Sequence, residues 1–356
     1  MIISRTPFRV SFFGGGTDYP AWYRTYGGAA LATTIDKYCY LSCRYLPPFF
    51  EHKIRVVYSK IENCHSVEEI AHPAVREILR YCKIDRGVEI HHDGDLPARS
   101  GMGTSSSFTV GLLHALYALK GQMTSKAQLA GESIVIEQEI LKETVGSQDQ
   151  VLAAHGGFNH IIFHTSGEIT VKPVTATAAR LNELNRHLML FYTGIRRTAS
   201  DVAESYVNGL HDRERQLQLR MIGDLTNEGV SVLCGKSKVA VFGELLHNAW
   251  QVKRDLSSRV SNSNIEEIYA EAMSAGAVGG KLLGAGGGGF ILFLVPPSKQ
   301  ATIKQRLNKL IYVPFRFESS GSQIIFFDPE RDYSKEEKAR VFQPDFVFRE
   351  LLEEEN

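Results

Sequence analysis

Three features of the sequence predict an α+β fold with two domains. The chain has 356 residues, and at roughly 150 residues per domain this length favours two hydrophobic cores. Segments with strand character and segments with a helical repeat are mixed, without the strict alternation of α/β proteins. The region from about residue 200 to residue 269 is mostly helical in pattern. We place the boundary near residue 180, which gives domains of residues 1–180 and 181–356.

The predicted strands are short runs of apolar, β-branched and aromatic residues that end at turn residues. Val10, Phe12 and Phe13 form such a run before a glycine turn, and two prolines end the apolar run that starts at Phe290. In chain order the predicted strands are residues 9–13, 30–45, 88–92, 158–163, 188–192, 290–295 and 323–327.

The predicted helices are segments in which apolar residues recur every three or four positions. Phe108, Leu112, Leu116 and Leu119 have this spacing directly after a glycine- and serine-rich loop. Further helices are predicted over residues 125–142 and 299–310. The acidic residues 350–356 are predicted to form a solvated helix terminus.

The composition argues against several classes of function. The formal net charge is zero, whereas a polyanion-binding protein has a basic excess, so we expect no nucleic-acid partner. No apolar run approaches the ~20 residues of a membrane helix, and the first residues lack the pattern of a signal peptide. The five cysteines are scattered and lack zinc-site spacing. We therefore predict a soluble, cytoplasmic protein with free thiols and no membrane contact.

Glycine is dense in three segments, which are Gly14 to Gly16, Gly101 to Gly103 and Gly284 to Gly289. Each one alone is compatible with an ordinary turn, but dense glycine also lets a backbone approach a ligand closely. In the middle segment four hydroxyl residues follow the glycines and lead into the predicted helix. Capping needs only one hydroxyl, and a helix start favours an anion. This segment therefore predicts a phosphate site, where a serine hydroxyl can also bind Mg²⁺.

Two common phosphate motifs are absent from the sequence. A dinucleotide fingerprint needs a third glycine where Ser106 stands. The one Gly-Lys-Ser triplet begins at Gly235, and Val230 occupies the position of the first glycine of a Walker loop. The phosphate site must therefore be of another type.

Read in order, the three segments resemble the motifs of the GHMP kinases. PFRV with GGGTDY, PARSGMGTSSS and KLLGAGGGGF are similar to the first, second and third motifs of that family. RTPFRVSFFGGGTDYPAWY and ETVGSQDQVLAAHGGF most resemble the heptose 7-phosphate kinases. The resemblance implies a two-domain GHMP kinase fold, with a ribosomal protein S5 domain 2-like N-terminal domain and a ferredoxin-like C-terminal domain. It also implies ATP and Mg²⁺ as cofactors.

The resemblance assigns catalytic and metal-binding roles to four residues. Asp149 is the expected catalytic base, although an aspartate after Gly146-Ser147 is also typical of a helix N-cap. Arg9 is expected to stabilise the developing alkoxide, with a structural ion pair as the alternative. Ser105 and Glu137 are the expected Mg²⁺ ligands. Glu139 lies two positions from Glu137 and faces another side of the helix, so we expect it at the surface.

The remaining expected site residues bind the nucleotide or the acceptor. The cofactor set is Pro97, Gly101, Met102, Gly103, Thr104, Ser105, Ser106 and Ser107. The acceptor set is Gly15, Gly16, Thr17, Asp18, Tyr19, Arg196, Arg197, Lys281, Gly286 and Gly287. Within it, Asp18 is expected to accept hydrogen bonds from sugar hydroxyls, while Arg196-Arg197 and Lys281 are candidates for holding a sugar phosphate. Adjacent arginines are more often solvated, and Asp18 could instead belong to a β-turn.

The sequence departs from galactokinases at one place. Gly15-Gly16 stand where that family has Glu-His, which leaves room for a longer or phosphorylated sugar. The resemblance to the heptose 7-phosphate kinases implies phosphorylation of the anomeric hydroxyl of D-glycero-D-manno-heptose 7-phosphate, for nucleotide-activated heptose and surface polysaccharide. The alternatives are a kinase of another sugar such as fucose, and a non-catalytic relative that binds sugar or nucleotide. A homodimer is compatible with the sequence.

Overall fold

The protein folds around two antiparallel-rich sheets. The structure is a computed structural model and describes residues 1–328, 333, 335, 336 and 339, except residues 51, 196–198, 208, 210 and 211. The strands are β1 Ile2–Phe13, β2 Gly28–Tyr45, β3 Ile54–Val57, β4 Ile61–Cys64, β5 Val88–Gly94, β6 Phe158–Phe163, β7 Ile169–Pro173, β8 Leu188–Tyr192, β9 Gly279–Leu282, β10 Phe290–Leu294, β11 Ile311–Val313, β12 Phe317–Glu318 and β13 Gln323–Phe327.

The helices lie between these strands and in one long block. They are α1 Pro20–Tyr26, α2 Pro73–Tyr81, α3 Thr104–Leu119, α4 Lys126–Val135, α5 Gln148–His155, α6 Ala178–His187, α7 Ala199–Val207, α8 Arg213–Cys234, α9 Val239–Arg254, α10 Ser263–Ser274 and α11 Gln300–Arg306. A π-helical turn, Ile136–Ile140, continues α4, and short 3₁₀ turns occupy Val67–Glu69 and Pro297–Lys299.

The larger sheet has nine strands and is organised around the long strand β2. Its main path is β13-β1-β2-β5-β3-β4, and β2 also pairs with β6 and β12. The pairing of β1 with β2 shifts register between Pro7 and Arg9 and again between Ser11 and Phe13. Such bulges bend a strand and redirect its side chains, and they occur often beside active sites. Here they turn Arg9 and Ser11 towards the cavity described below.

The smaller sheet has four strands in the order β11-β8-β10-β9. Every residue of β10 is buried, as its run of apolar residues requires. Helix α9 packs on β9, and α8 packs on both α9 and β2. Strands β12 and β13 return to the larger sheet, where β13 pairs with β1. Residue 180, the predicted boundary, falls between β7 of the larger sheet and β8 of the smaller one, while β12 and β13 of the larger sheet come after it.

Most predicted elements are confirmed, and three strands have the predicted bounds, namely β6, β8 and β13. The helix predicted over residues 125–142 is wrong in its second half, because regular helix ends at Val135 and a π-helical turn follows. The helix predicted over residues 299–310 ends at Arg306. Residues 350–356 lie outside the described part of the chain.

The chemical predictions of free thiols and a chain without a membrane helix can also be compared with the fold. All five cysteines are free, four of them buried and Cys234 exposed. Within the described residues, no helix is both long and apolar enough to span a bilayer.

Candidate active site

A cavity of about 250 Å³ lies where the three glycine segments meet. It is bordered by strand β1, the loop before α3, the start of α5, and two segments from the second half of the chain. The lining residues are Arg9, Ser11, Gly15, Gly16, Asp18, Tyr19, Arg99, Gly101, Gly103, Thr104, Ser105, Ser106, Glu143, Thr144, Val145, Gly146, Gln148, Asp149, Lys253, Lys281, Gly284 and Ala285. Residues far apart in the sequence thus share one concave site.

One end of the cavity is the N-terminus of α3. The residue before the helix, Gly103, has a left-handed φ of 71°, which suits glycine. Among the described residues, no protein group accepts a hydrogen bond from the backbone N–H of Thr104, Ser105 or Ser106. Free N–H groups and the helix dipole together favour an anion at this end.

The hydroxyl side chains of α3 divide between this end and the protein interior. Thr104 and the exposed Ser105 line the cavity. Ser106 also borders it but donates its hydroxyl to Glu137 at 2.9 Å, and Ser107 donates to the carbonyl of Pro7 at 2.9 Å. None of the four caps the helix with its side chain. The phosphate end therefore consists mostly of backbone, with Thr104 and Ser105 as the open hydroxyls.

The third glycine segment packs backbone against backbone on the second. A Cβ added to Gly284 would lie 2.6 Å from the Cα of Gly101, and one added to Gly289 would lie 2.2 Å from the carbonyl oxygen of Ser100. The N–H of Phe290 donates to that same carbonyl at 3.1 Å. The third glycine segment therefore packs closely on the phosphate loop, and only glycine permits this approach.

Several residues predicted to contact ligand are not among those that line the cavity. Gly286 and Gly287 pack on Val260 instead, and Gly287 donates its N–H to the Val260 carbonyl at 2.7 Å. The other non-lining residues are Pro97, Met102, Ser107 and Thr17. Met102 is fully buried, and Thr17 donates its hydroxyl to the carbonyls of Gly14 and Ala29, both at 2.9 Å. Pro97 and these buried groups do not border the cavity, and their contact with ligand stays a prediction.

Arg9 and Asp149 form a two-pronged ion pair in the cavity. The Nε and one terminal nitrogen of Arg9 each donate to a different oxygen of Asp149 at 2.7 Å. The other terminal nitrogen donates to the carbonyl of Gly101 at 2.6 Å. Asp149 is the second residue of α5, and the N-cap position belongs to Ser147, so the N-cap alternative for Asp149 is wrong. Arg9 thereby ties the phosphate loop to the carboxylate.

Asp18 is a second, fully buried carboxylate of the site. One oxygen accepts the N–H of Gly16 at 2.9 Å, and the other accepts the side-chain amide of Gln148 at 2.9 Å. Burial raises the pKa of Asp18, and the nearby negative charge of Asp149 adds to that rise. Gln148 is in turn held by the Ser11 hydroxyl at 2.7 Å. Asp18 is thus fixed in the cavity wall by Gly16 and Gln148, with Asp149 nearby.

Glu137 lies beneath the phosphate loop rather than in the cavity wall. It is fully buried, and one of its oxygens accepts hydrogen bonds from Ser106 and from Gln150 at 2.5 Å. The other oxygen has no hydrogen-bond partner among the described residues. Burial raises the pKa of Glu137 to about 7. An orphaned buried oxygen fits a cation ligand, although the hydroxyl in contact with Glu137 is that of Ser106 and not that of Ser105.

Six charged or polar lining residues were missed at the level of sequence, namely Ser11, Arg99, Glu143, Thr144, Gln148 and Lys253. Gln148 adjoins Asp149, and that adjacency was the available signal. Lys253 is in α9, about a hundred residues further on, and no motif marks it. Of the predicted residues, Arg196 and Arg197 lie outside the described part of the chain. Glu139 is exposed, as predicted.

Comparison with known protein families agrees with this geometry. Residues 68–157 match the GHMP kinases N terminal domain, and residues 233–313 match the GHMP kinases C terminal domain. The first match contains the phosphate loop and Asp149, and the second contains Lys253 and the third glycine segment. The chain belongs to the GHMP kinases. It is therefore an ATP-dependent phosphotransferase with an alcohol group as acceptor.

Other GHMP kinases are similar to the chain over most of its length. A D-glycero-alpha-D-manno-heptose 7-phosphate kinase of Campylobacter jejuni is 29% identical over 329 residues, covering 86% of this chain and 93% of that protein. A bifunctional fucokinase/GDP-fucose pyrophosphorylase of Arabidopsis thaliana is 28% identical over 232 residues, covering 63% of this chain and 21% of that protein. A crystal structure of a D-glycero-D-manno-heptose 1-phosphate kinase from Bacteroides thetaiotaomicron has a TM-score of 0.75 at 23% identity and covers 92% of this chain and all of that one. That structure supports the two-domain GHMP kinase fold.

Proposed function

We propose that this GHMP kinase phosphorylates the anomeric hydroxyl of D-glycero-D-manno-heptose 7-phosphate. The products are ADP and the 1,7-bisphosphate, which would feed nucleotide-activated heptose and surface polysaccharide synthesis in the cytoplasm. The oxygen of the sugar hydroxyl attacks the γ-phosphorus of ATP, the bond from that phosphorus to the β–γ bridging oxygen breaks, and the hydroxyl proton passes to a carboxylate.

The observation that carries the kinase chemistry is the ion pair of Arg9 and Asp149 beside the start of α3. Asp149 is the group that would take the hydroxyl proton, and its carboxylate keeps lone pairs that Arg9 does not occupy. Arg9 fixes the orientation of that carboxylate and places a permanent positive charge next to the reacting oxygen. The sequence left two alternatives for Arg9, a structural ion pair or a catalytic cation. The ion pair with Asp149 is compatible with both roles.

The phosphate end of the cavity would hold the nucleotide. The free N–H groups at the start of α3 and the hydroxyls of Thr104 and Ser105 suit the phosphate oxygens of ATP. When bound, Mg²⁺ supplies positive charge that neutralises those oxygens. Glu137 is the carboxylate beneath this loop, and Ser105 and Ser106 are the hydroxyls that would share the ion with it.

The opposite end would hold the acceptor. Asp18 is fixed by Gly16 and Gln148 with its carboxylate at the cavity, where it would accept hydrogen bonds from sugar hydroxyls. Tyr19, Gly15 and Gly16 border the same space. Such positioning is a large part of catalysis in phosphoryl transfer, because the protein has little covalent chemistry to perform.

The choice of sugar rests on the relatives and on the acceptor end. The Campylobacter jejuni protein, which covers most of the chain, is a heptose 7-phosphate kinase. Fucose is the second candidate, because the Arabidopsis thaliana relative and one from Bacteroides fragilis carry a fucokinase activity. Those relatives match a smaller share of this chain, which favours the heptose.

Coupled ADP release over a panel of sugars tests this proposal. The panel comprises D-glycero-D-manno-heptose 7-phosphate, the same heptose without its phosphate, L-fucose and galactose, and phosphorus NMR of the product locates the new phosphate. We expect the highest kcat/KM for the heptose 7-phosphate, with phosphate at the anomeric carbon. A higher kcat/KM for fucose would replace the first candidate by the second. Binding without ADP release for every sugar would identify a non-catalytic relative.

A further inference from the structure

We propose that two lysines from the second half of the chain, Lys253 and Lys281, form a subsite for a phosphate monoester on the acceptor. We call them the lysine pair. Lys253 lies in α9 and Lys281 in β9, and both line the cavity, Lys253 next to Gly15 and Lys281 within reach of the charge of Asp18. The proposal rests on the proposed sugar kinase activity for the identity of the acceptor, and it names the residues that select a phosphorylated one.

The first argument is the environment of Lys281. Its side chain is buried, and its ammonium donates to the carbonyl of Phe12 at 2.8 Å. Among the described residues, no carboxylate forms an ion pair with it. An ammonium has three donors, and a buried charge is costly unless a counter-charge and further hydrogen bonds compensate it. A ligand anion in the adjoining cavity would supply both.

The second argument is the local accumulation of positive charge. Burial lowers the pKa of Lys281 well below its usual range, and the nearby charges of Lys253 and Arg9 lower it further. Arg9 is already neutralised by Asp149. Asp18 is the remaining carboxylate that acts on Lys281 through space, and its own pKa is raised. The positive groups around Lys281 thus disfavour its charged form, and a ligand with about two negative charges, such as a phosphate monoester, would restore it.

The third argument is the space next to Lys253. A Cβ added to Gly15 would lie 3.1 Å from the ammonium of Lys253 and 3.8 Å from the side-chain amide of Gln148. The glycine thus keeps the ammonium accessible from the side of the first glycine segment. The same ammonium donates to the carbonyl of Gly284 at 2.7 Å, which holds it at the cavity wall. Gly15 and Lys253 together form a small polar recess beside Asp18.

The lysine pair has one competing assignment within the same reaction. Lys253 donates to Gly284, which packs on the phosphate loop. In the competing assignment the two ammonium groups therefore act on the phosphoryl group that ATP transfers and not on the acceptor. The two roles differ in what they predict. A residue that binds the acceptor phosphate affects only acceptors that carry one, whereas a residue that stabilises the transferred group affects every acceptor equally.

The first experiment measures binding without catalysis. Inorganic phosphate is titrated calorimetrically into the protein saturated with Mg²⁺ and a non-hydrolysable ATP analogue, so that the α3 end is filled. We expect the wild type to bind phosphate and Lys281→Met and Lys253→Met to raise its Kd at least about tenfold. Lys120→Met is the matched control, because Lys120 also donates to a backbone carbonyl, that of Cys82 at 2.9 Å, and does not line the cavity. Phosphate binding that is absent in the wild type, or that survives both substitutions, overturns the proposal.

The second experiment separates the two assignments kinetically. For both variants we expect kcat/KM for the phosphorylated sugar to fall about 10–100-fold, and kcat/KM for the same sugar without phosphate to stay within about threefold. An equal fall for both sugars through kcat overturns the proposal in favour of the transferred group. Thermal melting checks folding, and Lys281→Met should not lower the Tm of the ligand-free protein, because it removes a buried charge.

The two experiments also distinguish this proposal from the proposed function. Lysine-dependent phosphate binding together with no turnover of heptose 7-phosphate would mean that the sugar is wrong and the lysine pair is right. If heptose 7-phosphate is turned over and neither lysine substitution changes its kcat/KM, the sugar is right and the lysine pair is wrong.

Discussion

The two ends of the cavity are built in different ways. The phosphate end consists mostly of backbone, in which the loop before α3 presents N–H groups and Gly284 packs on Gly101. The acceptor end consists of side chains from distant segments, with Asp18 after β1, Gln148 in α5, Lys253 in α9 and Lys281 in β9. A site made of backbone suits a part of the ligand that stays the same from one related enzyme to the next. A site made of side chains can change its substrate through single substitutions.

Asp149 lies between the two ends, and its replacement by asparagine should lower kcat more than any other substitution described below. The amide keeps the shape of the carboxylate but cannot accept the hydroxyl proton, so we expect kcat to fall about 10²–10⁴-fold. The KM for ATP should change little, because the α3 end is intact. Steady-state kinetics measure both quantities. Asp85→Asn, an exposed aspartate, is the control, and a loss in Asp149→Asn smaller than tenfold would refute the assignment of the base.

The phosphate end should be disrupted by a single methyl group at Gly284. In Gly284→Ala the new Cβ meets the backbone of Gly101 at 2.6 Å, and neither backbone can move without distorting the loop. We expect the KM for ATP to rise at least about tenfold and the Tm to fall by several degrees.

Gly121→Ala is the matched control for that substitution. Gly121 has a similar left-handed φ of 68°, but a Cβ there would meet nothing within 4 Å. It therefore carries the backbone strain, about 1–2 kcal/mol, without the collision. Equal effects of the two substitutions on the KM for ATP would show that the packing of the third glycine segment on the loop is irrelevant to nucleotide binding.

Glu137, which lies beneath the phosphate loop, makes the stability of the folded protein depend on pH. Its folded pKa of about 7 is raised above the ordinary glutamate pKa of 4.5, so the folded protein binds this proton more tightly than the unfolded chain does. That contribution to stability is complete below about pH 4.5 and is lost as the pH rises through about 7. We expect Glu137→Gln to raise the Tm of the ligand-free protein at pH 8 by a few degrees and to lower the Mg²⁺-dependent activity.

Calorimetric melting at pH 5 and pH 8 measures the stability effect of that substitution. Glu139→Gln serves as the control, because this carboxylate is exposed on the same helical turn. If Glu137→Gln leaves the difference in Tm between the two pH values unchanged, the raised pKa is wrong.

A methyl group at the acceptor end should have a smaller effect, limited to the KM for the sugar. Gly15→Ala brings a Cβ to 3.1 Å from the ammonium of Lys253, and a flexible side chain can retreat by a few tenths of an ångström. We expect the KM for the phosphorylated sugar to rise about 3–10-fold, with the KM for ATP unchanged. Gly131→Ala in α4, where a Cβ meets nothing within 4 Å, should be silent. A change in the KM for ATP would place Gly15 at the wrong end of the cavity.

The sequence predicted the phosphate end better than the acceptor end for a physical reason. A loop that binds phosphate through its backbone needs glycines and a helix start in one short segment, so the whole signal lies between Gly101 and Ser107. Asp149 and Arg9 were also found, through the resemblance to the GHMP kinases. Their bidentate contact was not predicted, because the bulges that turn Arg9 inwards depend on the pairing of β1 with β2.

The acceptor end could not be predicted in the same way. Lys253 lies on a helix that shows only an ordinary amphipathic pattern, and lysine on a helix is usually solvated. Its burial follows from the packing of α9 against β9, which no local pattern encodes. Gly286 and Gly287 are outside the cavity lining for a related reason, because the backbone of this segment bonds to Val260, as Gly287 does at 2.7 Å. Long-range packing therefore decides which residues of a motif reach the ligand.

The selectivity of the wild-type enzyme for a phosphorylated acceptor tests this account most directly. The measurement is the ratio of kcat/KM for D-glycero-D-manno-heptose 7-phosphate to kcat/KM for the same heptose without its phosphate, by coupled ADP release. A buried, positively charged subsite predicts a ratio of at least about 10². Equal values, or a preference for the unphosphorylated sugar, would contradict the division of the cavity into a nucleotide end and an end for an anionic sugar.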